Sequence, residues 1–235
     1  METISIKYRF VLPDGSEQVY DLQLDKENLE LRGNTPGSIP SWVNLDFFQC
    51  PNCPLSAKTH PHCPLALNLV NIIKGFDSLV SYEKIHVEVI TKERIVSADT
   101  TAQKGISSLM GLVIAGSDCP HTVFFKSMAR YHLPFASEEE TIYRSTSTYL
   151  LAQYFQQKKD RTTDIELKGL KNIYENVQIV NKAVAKRLRA ATKTDSSVNA
   201  IIHLDVFAQI LPCAITESLE EICYLFEPFF KQENF

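Results

Sequence analysis

The stretch Ile4-Ser5-Ile6-Lys7-Tyr8-Arg9-Phe10-Val11-Leu12-Pro13-Asp14-Gly15-Ser16-Glu17-Gln18-Val19-Tyr20-Asp21-Leu22-Gln23-Leu24 decides the fold class. Its first limb alternates apolar and polar residues, and its second places Tyr20, Leu22 and Leu24 on one face. Pro13-Asp14-Gly15-Ser16 between them is a strong turn signal, so the segment predicts an antiparallel β-hairpin. A hairpin cannot stand alone, and the next strand-like run is Ile85-His86-Val87-Glu88-Val89-Ile90 with Ile95-Val96. Residues 84–98 are therefore expected as one third strand, bending near Thr91–Glu93.

Outside these strands the pattern is helical. Residues 33–41 carry Gly33, Asn34, Pro36, Gly37 and Pro40 and read as a loop, and 49–64 form a Cys/His/Pro-rich segment without period. The spacing of Leu65, Leu69, Ile72, Ile73 and Phe76 predicts a helix over 64–80, with Pro64 in its first turn. Thr101 is expected to cap a helix over 102–116. Ser137 with Glu140 three residues on is a capping box, opening a helix that runs to Lys159. Further helices are expected near 164–192, 196–211 and 214–227, with Asp195-Ser196-Ser197 as an N-cap, Pro212 as a break and Pro228 as a stop. The expected fold is α+β: a small antiparallel β-layer with the Cys-rich loop and one helix in 1–100, and a helical body in 101–235, within a single domain.

With 235 residues and 44% hydrophobic content, the chain is long enough to bury a core without disulfides. The net charge of −4 argues against a globally basic nucleic-acid binder, and only 8 glycines argue against Gly-rich phosphate loops. The start, Met1 to Phe10, has no apolar signal region, no run spans a bilayer, and Lys231 to Phe235 carry no lipidation motif. The expectation is a cytoplasmic protein whose six cysteines are thiols or metal ligands.

Four of the six cysteines precede a proline: Cys50-Pro51, Cys53-Pro54, Cys63-Pro64 and Cys119-Pro120. Proline is about 5% of residues, so this pairing is not chance. The local spacing is C-x2-C-x9-C with His60 and His62 inside the second interval. A C-x2-C pair lets two thiolates converge on one ion from a tight knuckle, and zinc takes four ligands. Three are local. Cys119, which shares the Cys-Pro context, is the expected fourth, with His60, His62 and His121 as alternatives. Such a site would tie the 50–63 loop to the loop after the 102–116 helix. An iron–sulfur cluster, thiol redox chemistry and plain reduced thiols remain alternatives.

Several segments form a familiar set: Cys50-Pro51-Asn52-Cys53-Pro54-Leu55, His62-Cys63-Pro64-Leu65-Ala66, Ser107-Ser108-Leu109-Met110-Gly111-Leu112, Ser117-Asp118-Cys119-Pro120-His121, Met128-Ala129-Arg130-Tyr131-His132-Leu133-Pro134-Phe135-Ala136, and Tyr149-Leu150-Leu151-Ala152-Gln153-Tyr154-Phe155. Together they resemble an uncharacterised bacterial family described only as a domain of unknown function. The resemblance implies a bacterial cytosolic protein and no known activity.

Other candidates are weaker. His132 could act as a general base, with Arg130 or Arg144 holding an anionic ligand and His121 nearby. Glu138, Glu139 and Glu140 could bind metal, although capping and the helix dipole already explain them. Lys182, Lys186, Arg189 and Lys193 share one predicted helix face with Arg187 adjacent. That stripe suits phosphate, nucleic acid or an acidic partner, or is a solvated face offset by Glu217, Glu220, Glu221 and Glu227. No common nucleotide-binding, hydrolase or metalloprotease motif is present. The leading expectation is a zinc-stabilised accessory protein whose helical half meets a partner or second copy. The alternatives are a metal- or thiol-dependent enzyme with a pocket near His121, Arg130 and His132, and a phosphate or nucleic-acid binder.

Overall fold

The computed structural model describes residues 2–34, 36–215 and 219–231. The hairpin is β1 (Thr3–Val11) and β2 (Glu17–Asp25), paired in the register Tyr8 opposite Tyr20. Gly15 takes φ +82° in the turn, a conformation glycine adopts without a Cβ penalty. The Asp14 carboxylate accepts from the Ser16 N–H at 2.9 Å. A two-residue strand β3 (Leu31–Arg32) borders β2.

The expected single third strand is instead two: β4 (Lys84–Ile90) and β5 (Ile95–Thr101), an antiparallel hairpin. Its turn closes through Thr91, whose N–H donates to the Arg94 carbonyl at 2.9 Å and whose Oγ1 accepts from the Arg94 N–H at 3.2 Å. The sheet is five-stranded and antiparallel, in the order β3-β2-β1-β4-β5.

Period-2 alternation puts Ile6, Tyr8, Phe10, Leu22, Leu24, Ile85, Val87 and Val89 on one buried face. Arg9 pairs with Glu17 and, at 2.8 Å, with Glu88. The buried face packs on α1 (Pro64–Gly75) and α2 (Ala102–Ala115), whose Leu69, Ile72, Ile106 and Leu109 complete the main core. Gly105 lets α2 approach the sheet closely, since a Cβ there would lie 2.9 Å from Ile85 Cδ1.

The rest is helical: α3 (Lys126–Arg130), α4 (Glu138–Gln157), α5 (Lys168–Ala191), α6 (Ser196–Cys213) and α7 (Glu227–Phe230). The molecule is therefore α+β, an N-terminal antiparallel sheet with a helical C-terminal body. The inner sides of α5 and α6 bring Val184, Leu188 and Ile201 to the main core. A smaller core of Ile142, Tyr149, Leu170, Tyr174 and Leu211 binds α4 to α5 and α6.

Several helix-end expectations are corrected. Pro212 lies inside α6 rather than ending it. Proline removes the N–H that would bond the carbonyl four residues back. That carbonyl, on Ala208, accepts instead from Gln178 Nε2 of α5 at 2.8 Å. Pro228 sits in the first turn of α7, where no N–H is required, rather than at a helix end. The Asp195 carboxylate does not cap α6 but accepts from Ser81 N–H at 3.0 Å and Ser81 Oγ at 2.8 Å, pinning α6 to the approach of β4. Thr101 holds the N-cap position of α2 without a side-chain capping bond. The capping box of α4 forms as expected: Glu140 N–H donates to Ser137 Oγ and Ser137 N–H to Glu140 Oε2. In the region expected as a helix over 214–227, 216–218 and with them Glu217 lie outside the described residues, and a tight helical turn covers Leu219–Leu225. Residues 232–235 of the C-terminal run also lie outside them.

Candidate functional site

Two places collect chemistry-bearing residues: a cysteine cluster at the seam between sheet and helices, and a cavity inside the helical body.

Three segments build the seam. In the 50–53 knuckle the Cys53 N–H donates to the Cys50 carbonyl at 2.9 Å. Cys63 is the N-cap of α1, its N–H donating to the Val43 carbonyl at 2.8 Å and Pro64 following as the first helical residue. Cys119 follows α2, and its carbonyl accepts the Thr122 N–H at 3.0 Å.

The four thiols come close enough to feel one another. Burial first, then the nearby Cys63, Cys119 and Cys53, push the Cys50 thiol up to about 12, with Arg187 pulling the other way. Burial likewise pushes Cys119 up to about 11, opposed by hydrogen bonds from the His121 backbone and Thr122 and reinforced by Cys63 and Cys53. All six cysteines are free thiols, with Cys213 and Cys223 exposed and apart from this group. Among the described residues, no group of three or more His, Cys, Asp or Glu side chains is arranged to hold a metal ion.

The three histidine alternatives are placed differently. His121 Nε2 donates to the Asn52 carbonyl at 2.8 Å, stitching the Cys119 loop onto the knuckle between Cys50 and Cys53. His60 is exposed and its Nδ1 contacts Thr59 Oγ1 at 2.9 Å. His62 forms an isolated β-bridge with Asn44.

Sequence reasoning missed Arg187. Grouped with a basic stripe, it is in fact 2% exposed. Its guanidinium donates to the carbonyls of Trp42 (2.7 Å), Asn44 (2.7 Å) and Leu45 (2.9 Å). Within the described residues it has no carboxylate partner. A buried cation normally demands an anion, and the groups nearby that can become anionic are the thiols. Its signal was apolar flanking: Val184, Ala185 and Leu188 lie on the buried side of α5.

The rest of the stripe stays outside. Lys182, Lys186 and Arg189 are exposed on α5 and, among the described residues, form no ion pair. Lys193 is not on that helix face, because α5 ends at Ala191. Its backbone N–H donates to Asp77 Oδ1 at 2.9 Å.

The cavity, about 430 Å³, lies between α2, α3, α5, α6 and the start of α4. Ser108, on α2, ties three segments: its Oγ meets Tyr8 Oη at 2.7 Å and accepts from the Phe135 N–H at 3.3 Å. Tyr8 Oη, at the centre of the sheet, also bonds His132 Nε2. His132 is deeply set but keeps an edge on the cavity. Burial first, then the Arg144 charge, push its protonation down to about 3, so the ring is neutral at physiological pH. Arg144 Nη2 donates to the carbonyls of Met128 (3.1 Å) and Tyr131 (3.2 Å), and its burial lowers its own affinity for the proton.

The residues expected to share one pocket are thus divided. His132 and Arg144 meet at the cavity, His121 belongs to the cysteine seam, and Arg130 stacks over the Tyr131 ring at 5.0 Å. Of the glutamates at the start of α4, Glu140 serves the cap and Glu139 accepts from Tyr224 Oη at 2.9 Å.

A family model for a domain of unknown function, DUF6901, matches residues 6–227, nearly all of the sheet, the seam and the cavity. The chain belongs to the DUF6901 family. No curated protein and no solved structure matches it. Membership of DUF6901 carries no activity, so the chemistry rests on the residues themselves.

Proposed function

We propose that the chain is a metal-stapled accessory protein of the bacterial cytoplasm. Cys50, Cys53, Cys63 and Cys119 would hold one zinc ion as thiolates, with an iron–sulfur cluster as the alternative. The ion would supply neutralising charge and folding free energy, closing the N-terminal loop onto the helical body. What supports this reading is that Cys50 lies within electrostatic reach of Cys53, Cys63 and Cys119, drawn from three segments, and of Arg187, a buried cation without a carboxylate partner among the described residues. A zinc ion with four thiolates keeps a net negative charge, which Arg187 would offset.

The helical half would meet a protein partner or a second copy. Supporting this, Leu151, Tyr154 and Phe155 on α4 are about half exposed, as is Phe230 near the chain end. Among the described residues no helix is long and apolar enough to cross a membrane.

The test is elemental analysis of protein purified without a polyhistidine tag, with its visible spectrum. About one zinc per chain and no colour is expected. Cys119→Ser should lose the metal and melt at lower temperature. Protein without any metal overturns the reading, stoichiometric metal in the variant overturns the ligand set, and coloured iron moves it to the cluster.

A second reading rests on the exposed cations Lys182, Lys186 and Arg189, which suit a phosphate or nucleic-acid backbone. It requires affinity that falls steeply with salt. Weak or salt-independent binding removes it.

A further inference from the structure

The cavity combines an apolar wall with a half-buried guanidinium that forms no ion pair within the described residues. Met128, Leu133, Phe135, Val177, Leu204 and Phe207 supply the apolar part of the lining. The volume falls within the roughly 300–1,000 Å³ of small-molecule sites, which are mostly apolar with a few placed polar groups. Its charged lining residues are Lys104 and Arg144, with no aspartate or glutamate among them. One sign of charge in a largely apolar space selects the opposite sign in a ligand.

Arg144 is the stronger anchor. It is half-buried, and although the Glu140 carboxylate one turn earlier acts on it through space, it forms no ion pair within the described residues. Only Nη2 is occupied, by two backbone carbonyls, while Nε and Nη1 make no hydrogen bond within the described residues. Guanidinium nitrogens left over in this way match the two oxygens of a carboxylate. His132 stands beside it as a neutral ring fixed through Tyr8 and Ser108, so it adds a polar edge without a competing charge. Lys104 lies toward the other end, near His203, whose ring meets Ser107 Oγ at 3.3 Å.

We propose that this cavity binds a small organic monocarboxylate with an apolar body, its carboxylate on Arg144 and its body against the Phe135, Leu204 and Phe207 wall. The site is separate from the cysteine seam and does not depend on a metal there.

The experiment is calorimetric titration of the full chain with decanoate, decyl alcohol and decylammonium at neutral pH. Decanoate should bind one per chain and at least about tenfold tighter than decyl alcohol, the span of one charge-assisted contact. Decylammonium should not bind. Arg144→Gln should weaken decanoate by about ten- to a hundredfold and leave decyl alcohol unchanged. Ala136→Trp, which fills the cavity, should abolish both. The proposal is overturned by absence of saturable decanoate binding, by decylammonium binding as well as decanoate, or by decanoate affinity that survives both substitutions. If Arg144→Gln does not fold, the head-group series on the unaltered chain decides alone.

Discussion

The seam and the cavity each contain a guanidinium that forms no ion pair within the described residues, and they treat it in opposite ways. Arg187 spends its donors on three carbonyls of one loop and is sealed among sheet and helices. Arg144 spends one nitrogen on two carbonyls and opens onto an empty-walled space of helical side chains. The same side chain is a structural rivet where both terminal nitrogens are tied to one loop and a receptor where one of them is left over. Arg187 is fully buried and Arg144 only half-buried, in keeping with the two roles. The count of satisfied donors divides them in the same way.

The largest effect should come from breaking the rivet. Arg187→Met strands three carbonyls, two of them in buried residues, and should cost about 3–5 kcal/mol, the range for breaking a buried charged network. For a chain of this length that is a fall in melting temperature of roughly 6–20 °C. Arg144→Met strands two carbonyls but also removes a poorly solvated charge, and should cost about 1–3 kcal/mol. Thermal melts of the two variants side by side test the contrast. Equal losses would show that the cavity arginine is as much a structural element as the other.

A smaller effect concerns acid. The His132 protonation constant falls from its ordinary 6.5 to about 3 on folding. Between those values the unfolded chain takes up a proton that the folded chain refuses. Stability is therefore full above pH 6.5 and falls as pH drops, by about 1.4 kcal/mol per unit for this one group. His203, depressed by burial and by Lys104, adds in the same direction. Denaturant titrations between pH 6.5 and 5 should show a shallower slope for His132→Gln than for the unaltered chain. An identical slope removes His132 from the account.

The smallest effect is at the mouth of α4. Ser137→Ala removes one side of the capping box and should cost about 1 kcal/mol. The variant should lower the melting temperature by only a few degrees. An unchanged melting temperature would show that the cap contributes nothing to the fold.

How much of this was legible in the sequence follows from the range of each signal. The β1–β2 hairpin was readable because both its period and its turn are local. The β4–β5 hairpin was read as one bent strand because Thr91-Lys92-Glu93-Arg94 has no Gly, Pro or Asn, and a threonine side chain closes the turn instead. β3 is two residues long and has no period to read. The Cys-Pro pattern picks out the four thiols, and His121 lies two residues from Cys119 in the chain itself. Arg187 was hidden by its charge, since its neighbours Lys186 and Arg189 face solvent. Of the cavity only His132 and Arg144 were legible, because the rest of its wall is drawn from α2 through α6 and only tertiary packing decides which helix faces meet. Pro212 was taken as a break because nothing local announces that Gln178, thirty-four residues earlier in the chain, would take the carbonyl it abandons.

The reach of Arg187 also sets a timetable. Its partners Trp42, Asn44 and Leu45 lie more than 140 residues earlier in the chain. At about 5–20 residues per second of synthesis, the first strands and the Cys50–Cys63 loop leave the ribosome roughly 7–30 s before the residue that fastens them. During that interval the nascent loop presents its thiols to the surrounding pool of metal ions and oxidants. The N-terminal half of the seam therefore waits, open on the nascent chain, for the residue that closes it.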